Sequence, residues 1–262
     1  RGVSQAIHSL IMTMYIIVKS LMDGFTTWKK HGFLTLFHQI RVSLMRKRAL
    51  SAYKRKTSHL NQASAVKVLS TLKYQPLISI VMPAYNTPVD YLQAAVKSLQ
   101  EQYYPNWALC IFDDASTNVS SQAWLKTIQD NRIKVVFSSH NSGISAATNQ
   151  AVQHTKGEFV AFLDHDDELT PDALLEMVKL LNRQPDSDVI YSDQDKIDHR
   201  GKRSEPFFKP DWSPEYIRSV MYVGHLLLMR RTLFDRLGGF DPRFDGVQDY
   251  ELMLRAGERT SK

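Results

Sequence analysis

The chain has 262 residues, of which 43% are hydrophobic, and this is enough for one sizeable domain and a smaller appendage. The net charge of +6 is uneven: residues 1–75 contain thirteen Lys and Arg and a single acid, Asp23, a charge of +12, so residues 76–262 carry −6. An acidic main part argues against nucleic acid as a partner, and the single cysteine, Cys110, excludes an intrachain disulfide and favours a reducing compartment.

The N-terminal segment contains two apolar patterns. The run at residues 7–22 is interrupted by His8 and Lys19 and is shorter than the ~20 residues that span a bilayer, so we do not predict a transmembrane helix. Further on, Phe33, Leu36 and Leu44 recur at helical spacing among basic residues, which predicts an amphipathic helix. This helix either lies on an anionic membrane surface or docks on another domain. We predict that residues 1–75 form a basic helical segment and a polar, partly helical linker.

From residue 76 the pattern changes to short apolar runs that alternate with helical periodicity. The apolar runs lie at residues 78–82, 108–112, 133–137 and 159–163, and two more follow at 188–192 and 226–229. Alternation of this kind is typical of a mainly parallel sheet with helices on its faces. Because the carboxyl ends of parallel strands meet at one edge, we expect the polar loops after the first four strands to form one site.

The last of these four strands ends in an acidic cluster, Asp164, Asp166 and Asp167. Carboxylates this close together repel one another unless a cation compensates, and ligation by oxygen alone favours Mg²⁺ or Mn²⁺. The alternative is that Asp167 or Thr170 caps the next helix, which would start near Pro171.

A set of motifs in fixed order resembles the glycosyltransferases of family 2, which have the GT-A fold. The motifs are PAYN at 83–86, DDAS at 113–116, NSGISAATN at 141–149, LDHDD at 163–167, YSDQDK at 191–196, FKPDWSP at 208–214, GGF at 238–240 and QDY at 248–250. The likeness covers about residues 76–258 and is greatest to bacterial O-antigen and surface-polysaccharide enzymes of the rhamnosyltransferase-like type. It implies a catalytic domain at 76–262 with a Rossmann-like, mixed but mainly parallel sheet, and elements beyond Lys262 that complete the acceptor side.

The resemblance implies a role for each residue on the donor side. Asp113 and Asp114 would accept hydrogen bonds from the nucleotide base, Asp164 would lie near the ribose, and Asp166, with Asp164 as a second candidate, would bind the metal at the diphosphate. The other nucleotide-site residues would be Pro83, Tyr85, Asn86, Asn141, Gly143 and Ser145. Many relatives have arginine where Thr148 stands, so charge neutralisation would depend more on the metal, with help from Lys196 or Lys209.

On the acceptor side, Asp249 corresponds to the catalytic base of the family; the alternative is a helix N-cap. Trp212 and Tyr222 either stack on a sugar or pack in the core. The acceptor candidates are Asp193, Asp195, Lys209, Trp212 and Gly239.

The resemblance thus implies an inverting transferase that moves a sugar from a UDP- or TDP-linked donor to a hydroxyl of a glycan or lipid-linked glycan. Its location would be the cytoplasm, peripheral on the inner membrane if the basic segment binds lipid. The alternatives are a non-catalytic carbohydrate-binding or membrane-tethering module of a larger synthase, and a metal-dependent nucleotidyltransferase. A nucleotidyltransferase would usually have a basic, glycine-rich loop where PAYN stands, and no G-x-G-x-x-G follows the first strand to indicate an oxidoreductase.

Overall fold

A computed structural model describes residues 60–198 and 200–260, together with the helical residues His38, Arg41, Val42, Leu44, Met45, Arg48 and Ser51. The chain divides into two compact units, Arg1–Ser58 and His59–Lys262. The apolar run at 7–22 and most of the predicted amphipathic helix lie outside the described residues, so both stay predictions. Within the part that is described, no helix has the length and apolar character needed to cross a membrane.

The second unit alternates strands and helices along the chain. The helices are α1 (Gln62–Thr71), α2 (Val89–Gln100), α3 (Val119–Leu125), α4 (Ile144–Gln153), α5 (Ala173–Arg183), α6 (Pro214–Ile217), α7 (Arg231–Leu237) and α8 (Gln248–Arg259), with a 3₁₀ turn at Pro242–Phe244. The strands are β1 (Ile78–Ala84), β2 (Trp107–Asp113), β3 (Ile133–Phe137), β4 (Phe159–Phe162), β5 (Val189–Tyr191), β6 (Gln194–Ile197), β7 (Arg203–Phe207) and β8 (Leu227–Arg230).

Six of the strands form one mixed sheet in the order β3-β2-β1-β4-β8-β5. The pairs among β1 to β4 are parallel, whereas β8 runs antiparallel to both β4 and β5. All six apolar runs in the sequence are therefore strands of this sheet, and the predicted mixed, mainly parallel architecture is confirmed. Such strands are apolar throughout because helices cover both faces of the sheet.

Two hydrophobic cores lie on the two faces of the sheet. Alternate residues of β1 contribute to each: Ile80 and Met82 belong to the first core, and Val81 belongs to the second, all with 0% exposure. This follows from the two-residue period of a strand. Helices α1, α2 and α5 contribute buried residues to the first core, and α4, α6, α7 and α8 to the second. Cys110 lies in the second core, as expected for a structural cysteine.

Helix α1 belongs to the packed unit, although the sequence around it resembles a polar connector. Its N-cap, Asn61, accepts a hydrogen bond from the Ser64 amide, and Ala65 is buried in the first core. After the helix, the side chain of Asn182 accepts from the Tyr74 amide and donates to the Tyr74 carbonyl. Residues 60–75 are thus fastened to α5.

The β6–β7 hairpin has no counterpart among the predicted strands. It forms a separate two-stranded sheet with a register shift between Gln194 and Lys196. Its residues are mostly polar, with the exceptions of Ile197, Pro206 and Phe207, so neither hydrophobic alternation nor β propensity marks it in the sequence.

The fold leads to a first prediction, at Gly157 before β4. A Cβ at this position would lie 2.6 Å from the Ser79 amide nitrogen and 2.7 Å from the Leu77 carbonyl oxygen, both of which are backbone atoms. Because β1 cannot yield without losing its pairing with β4, we expect Gly157→Ala to destabilise the fold by about 1–3 kcal/mol. Urea unfolding measures the loss. Gly201→Ala is the control, since no atom of the described residues lies within 4 Å of a Cβ at that site, and its positive φ is what opposes alanine. An equal or smaller loss at Gly157 would contradict the prediction.

Candidate active site

The loops after β1, β2, β3 and β4 meet at one edge of the sheet, as the sequence predicts, but the two acids after β2 differ in their environment. The buried carboxylate of Asp114 accepts hydrogen bonds from the Ser142 amide and hydroxyl and from the Gly143 amide, at 2.8–3.0 Å. The Asn141 side chain donates to the Asp114 carbonyl at 3.2 Å. By contrast, Oδ2 of Asp113 is buried and has no hydrogen-bond partner among the residues that the structure describes. Both acids are predicted to accept hydrogen bonds from the nucleotide base. Asp113 has the carboxylate oxygen that is open to such a bond, whereas Asp114 holds the next loop in place.

The loop after β1 is shaped by Asn86, which has a positive φ of 51°. Its side-chain oxygen accepts from the amides of Thr117 (2.7 Å) and Asn118 (3.1 Å), and its own amide donates to the Ser116 hydroxyl. Asn tolerates this conformation better than most residues. Asn86 thus joins the loops after β1 and β2, while the neighbouring Tyr85 is half exposed at the same edge.

Helix α4 is tied at two points, its middle and its first turn, to the segment between α7 and α8. The Asn149 side chain donates to the Phe240 carbonyl at 2.8 Å and accepts from its amide at 2.9 Å. Gly239 has a φ of 76°, and a Cβ there would lie 2.5 Å from Oδ1 of Asn149. In the first turn of α4, the Ser145 amide donates a hydrogen bond to the Asp245 side chain at 3.2 Å. Gly239, predicted on the acceptor side, therefore lies at a turn where only glycine fits.

The centre of the site is a cluster of two carboxylates and a histidine. Nε2 of His225 lies 3.2 Å from Oδ2 of Asp164, and its Nδ1 lies 4.0 Å from Oδ2 of Asp167. One ligand atom from each of the three residues lies within 4.8 Å of the others, the spacing of a possible metal site. The hydrogen bond to Asp164 raises the pKa of His225 to about 9, against the effect of burial. Burial raises the pKa of Asp167, whereas for Asp164 the bond and charge of His225 outweigh burial and lower the pKa.

Asp166, the predicted metal ligand, lies beside this cluster. Its side chain is 55% exposed, and one carboxylate oxygen lies 3.8 Å from Nδ1 of His165. It lines a cavity of about 630 Å³ that extends to the β6–β7 hairpin, where Asp195 pairs with Arg203 at 2.8 Å. The capping alternative is wrong, because the N-cap of α5 is Asp172. The acids of this loop are therefore not accounted for by helix capping.

Asp249 lies in the first turn of α8, one residue after the helix begins. Because the N-cap is Val247, the alternative that Asp249 is an N-cap is wrong. Burial raises the pKa of its carboxyl, the charge of His225 opposes this, and Asp164 adds to it. A partly buried acid whose pKa lies above its usual range is suited to accept a proton.

Three of the acceptor candidates line a second cavity, of about 840 Å³, beside edge strand β5: Asp193, Lys209 and Trp212. Trp212 also packs on α8, since a Cβ on Gly257 would lie 2.8 Å from its ring. Tyr222 is 1% exposed, its ring stacks on that of Tyr216, and its hydroxyl accepts from the Ser213 amide. Tyr222 is therefore a packing residue.

His225 is not marked by the sequence, where it is a lone histidine between Gly224 and an apolar strand. The signal lies in the pairing of the strands. The register of β4 and β8 places Phe162 opposite Leu227, so the residues just beyond the end of β4 and just before the start of β8, including Asp164 and His225, face one another. Neither the order nor the direction of these strands can be read from a single motif.

Comparison with known proteins identifies the architecture and the family. The fold is that of GT-A glycosyltransferases: a crystal structure of S. aureus TarS 1-349 in complex with UDP superposes with a TM-score of 0.57, at 23% identity, over 68% of this chain and 54% of that one. The mannosyltransferase PcManGT from Pyrobaculum calidifontis, in complex with GDP-Man and Mn²⁺, superposes with a TM-score of 0.54 at 23% identity, over 79% of this chain and 61% of that one.

The sequence model of Glycosyl transferase family 2 matches residues 79–238, more than half of the chain. The chain belongs to this family. One curated relative is the O-antigen biosynthesis protein RfbC of Myxococcus xanthus, which is 38% identical over 200 residues. The matched region is 76% of this chain but only 16% of RfbC, so the chain spans a small part of that relative.

The cluster leads to a second prediction, on the pH dependence of stability. His225 has a raised pKa in the folded state, so its stabilising effect is complete below the unfolded value of ~6.5 and is lost as the pH rises through about 9. In the presence of a chelator, the free energy of unfolding of wild type should exceed that of His225→Gln by at most about 3 kcal/mol near pH 6. This difference should shrink towards pH 9.5. Urea unfolding of both proteins across this range measures it. A difference that stayed constant or grew with pH would contradict the pairing with Asp164.

Proposed function

We propose that the chain transfers a sugar, with inversion, from a nucleoside-diphosphate donor to a hydroxyl of a glycan or lipid-linked glycan. The observation that carries the proposal is the cluster of Asp164, Asp167 and His225 at the end of β4, with Asp249 electrostatically coupled to it. In a family 2 fold, these groups suit the two requirements of the reaction, a site for the diphosphate and a base for the acceptor.

The loops after β1, β2 and β3 would bind the nucleotide. The buried, vacant oxygen of Asp113 supports a role as acceptor for a donor group of the base, because a buried polar atom without a partner is costly. Pro83 and Tyr85 border the same edge, and Asp114, Asn86 and Asn141 hold these loops in shape. The structures of TarS and PcManGT that share this fold are complexes with UDP and with GDP-Man, respectively. We keep UDP and TDP as the proposed nucleotides.

The residues present fit a divalent cation. Two carboxylates and an imidazole converge, and a bound cation would displace the proton that His225 carries when no metal is present. We propose Asp164 and His225 of this cluster as ligands of Mg²⁺ or Mn²⁺. The third ligand would be Asp166, which the resemblance implies, or in its place Asp167, which belongs to the cluster. A bound cation would neutralise the charge that develops on the departing nucleoside diphosphate. The PcManGT complex contains Mn²⁺ together with GDP-Man.

Asp249 would act as the general base. Its pKa is raised by burial, so the carboxylate can take the proton of the acceptor hydroxyl while the oxygen forms its bond to the anomeric carbon. The bond to the diphosphate breaks on the opposite side of the sugar, which inverts the configuration and needs no enzyme nucleophile. The cavity beside β5, with Asp193 and Trp212, would receive the acceptor.

The name of RfbC supports a role in surface polysaccharide synthesis. We propose that this role places the chain in the cytoplasm, at the inner membrane if residues 1–75 bind anionic lipid. A chain that bound a nucleotide sugar but neither transferred nor hydrolysed it would instead be a binding module of a larger synthase.

The third prediction concerns the metal ligands. Calorimetry with UDP and Mn²⁺ should show that His225→Ala and Asp166→Asn each weaken the Mn²⁺-dependent part of UDP binding at least about tenfold, because each removes a ligand. Asp186→Asn, a change of the same kind away from the cluster, is the control. Unchanged metal dependence in Asp166→Asn, with a loss in Asp167→Asn, would assign the role to Asp167.

The fourth prediction concerns Asp249. We expect Asp249→Asn to lower the turnover of bound nucleotide sugar about 10²–10⁴-fold, while the donor Kd stays near that of wild type, because a general base acts on the acceptor. Asp235→Asn, on the exposed side of α7, is the matched control. Donor binding is measured by calorimetry and turnover by release of the nucleotide. Weakened donor binding with turnover preserved would place this carboxylate on the donor side.

A further inference from the structure

Lys209 binds the main chain on either side of Gly224 rather than a carboxylate side chain. Its Nζ donates hydrogen bonds to the carbonyl oxygens of Val223 and His225, the latter at 2.6 Å. Its backbone amide donates to Oδ1 of Asp193 at 2.8 Å. The residue is therefore fixed at both ends: the backbone is joined to the loop after β5, and the ammonium to the segment that leads into β8.

The segment held by Lys209 has an unusual conformation. Gly224 has a φ of 46°, and a Cβ there would lie 2.9 Å from Oε1 of Gln194 and 3.8 Å from Nζ of Lys209. The carbonyls on both sides of this glycine converge on one ammonium group. Carbonyl oxygens that face the same point repel one another, so this turn depends on the cation between them.

The same segment carries His225. Strand β8 begins at Leu227, so residues 223–225 precede its ladder, and Leu226 is joined to Ser192 through its amide and its carbonyl. Since the His225 ring must meet Asp164 at 3.2 Å, its backbone has to be held where no strand pairing fixes it. The bond from Lys209 to the His225 carbonyl supplies this constraint.

We propose that Lys209 is a positioning residue for His225, and that it holds the imidazole in place for the proposed metal site. The inference rests on the proposed function, because that function makes His225 a ligand of the divalent cation. An ammonium group has three donors, and two of those of Lys209 are used by main-chain carbonyls. Hydrogen-bond partners of metal-ligating side chains typically change metal affinity by about 10–100-fold when they are lost. Lys209 bonds the main chain of His225 and not its ring, and we expect an effect of this order because the backbone sets the position of the ring.

The test, and the fifth prediction, compares Lys209→Met with wild type, using Mn²⁺ and UDP as probes. Methionine keeps much of the length of the side chain but removes the donors. We expect Mn²⁺ affinity in the presence of UDP to fall about 10–100-fold, and UDP binding in chelator to stay unchanged. Lys179→Met, which removes a lysine paired with Glu176 on α5, is the matched control and should leave both unchanged.

A double variant separates positioning from general support of the fold. If Lys209 acts through the histidine, adding Lys209→Met to His225→Ala should cause no further loss of Mn²⁺ affinity. A second variant, Gly224→Ala, disturbs the same turn from the other side and should also weaken Mn²⁺ binding. It serves as the test if circular dichroism shows that Lys209→Met does not fold.

Three results would overturn the inference. One is wild-type Mn²⁺ affinity in folded Lys209→Met or, where that variant does not fold, in Gly224→Ala. Another is a lower Mn²⁺ affinity in the double variant than in His225→Ala alone. The third is weaker binding of UDP by Lys209→Met in the presence of a chelator, which would mean that Lys209 contacts the nucleotide itself. If wild type itself bound no Mn²⁺, the proposed metal site would be wrong and the inference with it. If Mn²⁺ binding were lost in His225→Ala but kept in Lys209→Met, only the inference would be refuted.

Discussion

The site depends on the antiparallel pairing of β8 with β4. This pairing joins the parallel half of the sheet to the remaining strands, and it places the segment before β8 opposite the loop after β4. The acids of that loop thereby face His225, the one cationic side chain within 4 Å of Asp164 in the part of the chain that is described. Without this neighbour, partly buried carboxylates would have to remain close together uncompensated, at a cost in stability.

Around this centre, many of the polar side chains that the sequence marks as functional stabilise the loops themselves. Asp114 holds the loop after β3, Asn86 joins two loops, and Asn149 fastens the turn at Gly239. Bonds of this kind keep a binding edge in one shape before a ligand arrives, which lowers the entropy lost on binding. A motif residue can thus shape a site without contacting the substrate. Asp113 differs, because its buried Oδ2 makes no hydrogen bond to the residues that the structure describes.

The sequence predicts the sheet well, because its six strands are short apolar runs, and the central strands β1, β2 and β4 are buried on both faces. Through the ordered motifs it also marks Asp164 and Asp249 as candidate site residues. It does not reveal the β6–β7 hairpin, whose polar residues are held by ion pairs such as Arg203 with Asp195. Nor does it reveal His225, because its position depends on which strand lies beside β4 and in which direction it runs. Both failures concern contacts between distant segments, which local periodicity does not encode.

The charges at this edge bear on how donor and cation binding are related. Thr148, where many relatives have arginine, is buried within α4, and its hydroxyl donates to the Ile144 carbonyl, so it brings no charge to the site. Lys209 is desolvated, which lowers its pKa to about 8, and two of its donors are used by the main chain. A diphosphate that approached Asp164 and its neighbours would therefore meet mostly negative charge. The same cation that relieves repulsion among the carboxylates would also attract the diphosphate, so the binding of each should strengthen that of the other, as linkage requires.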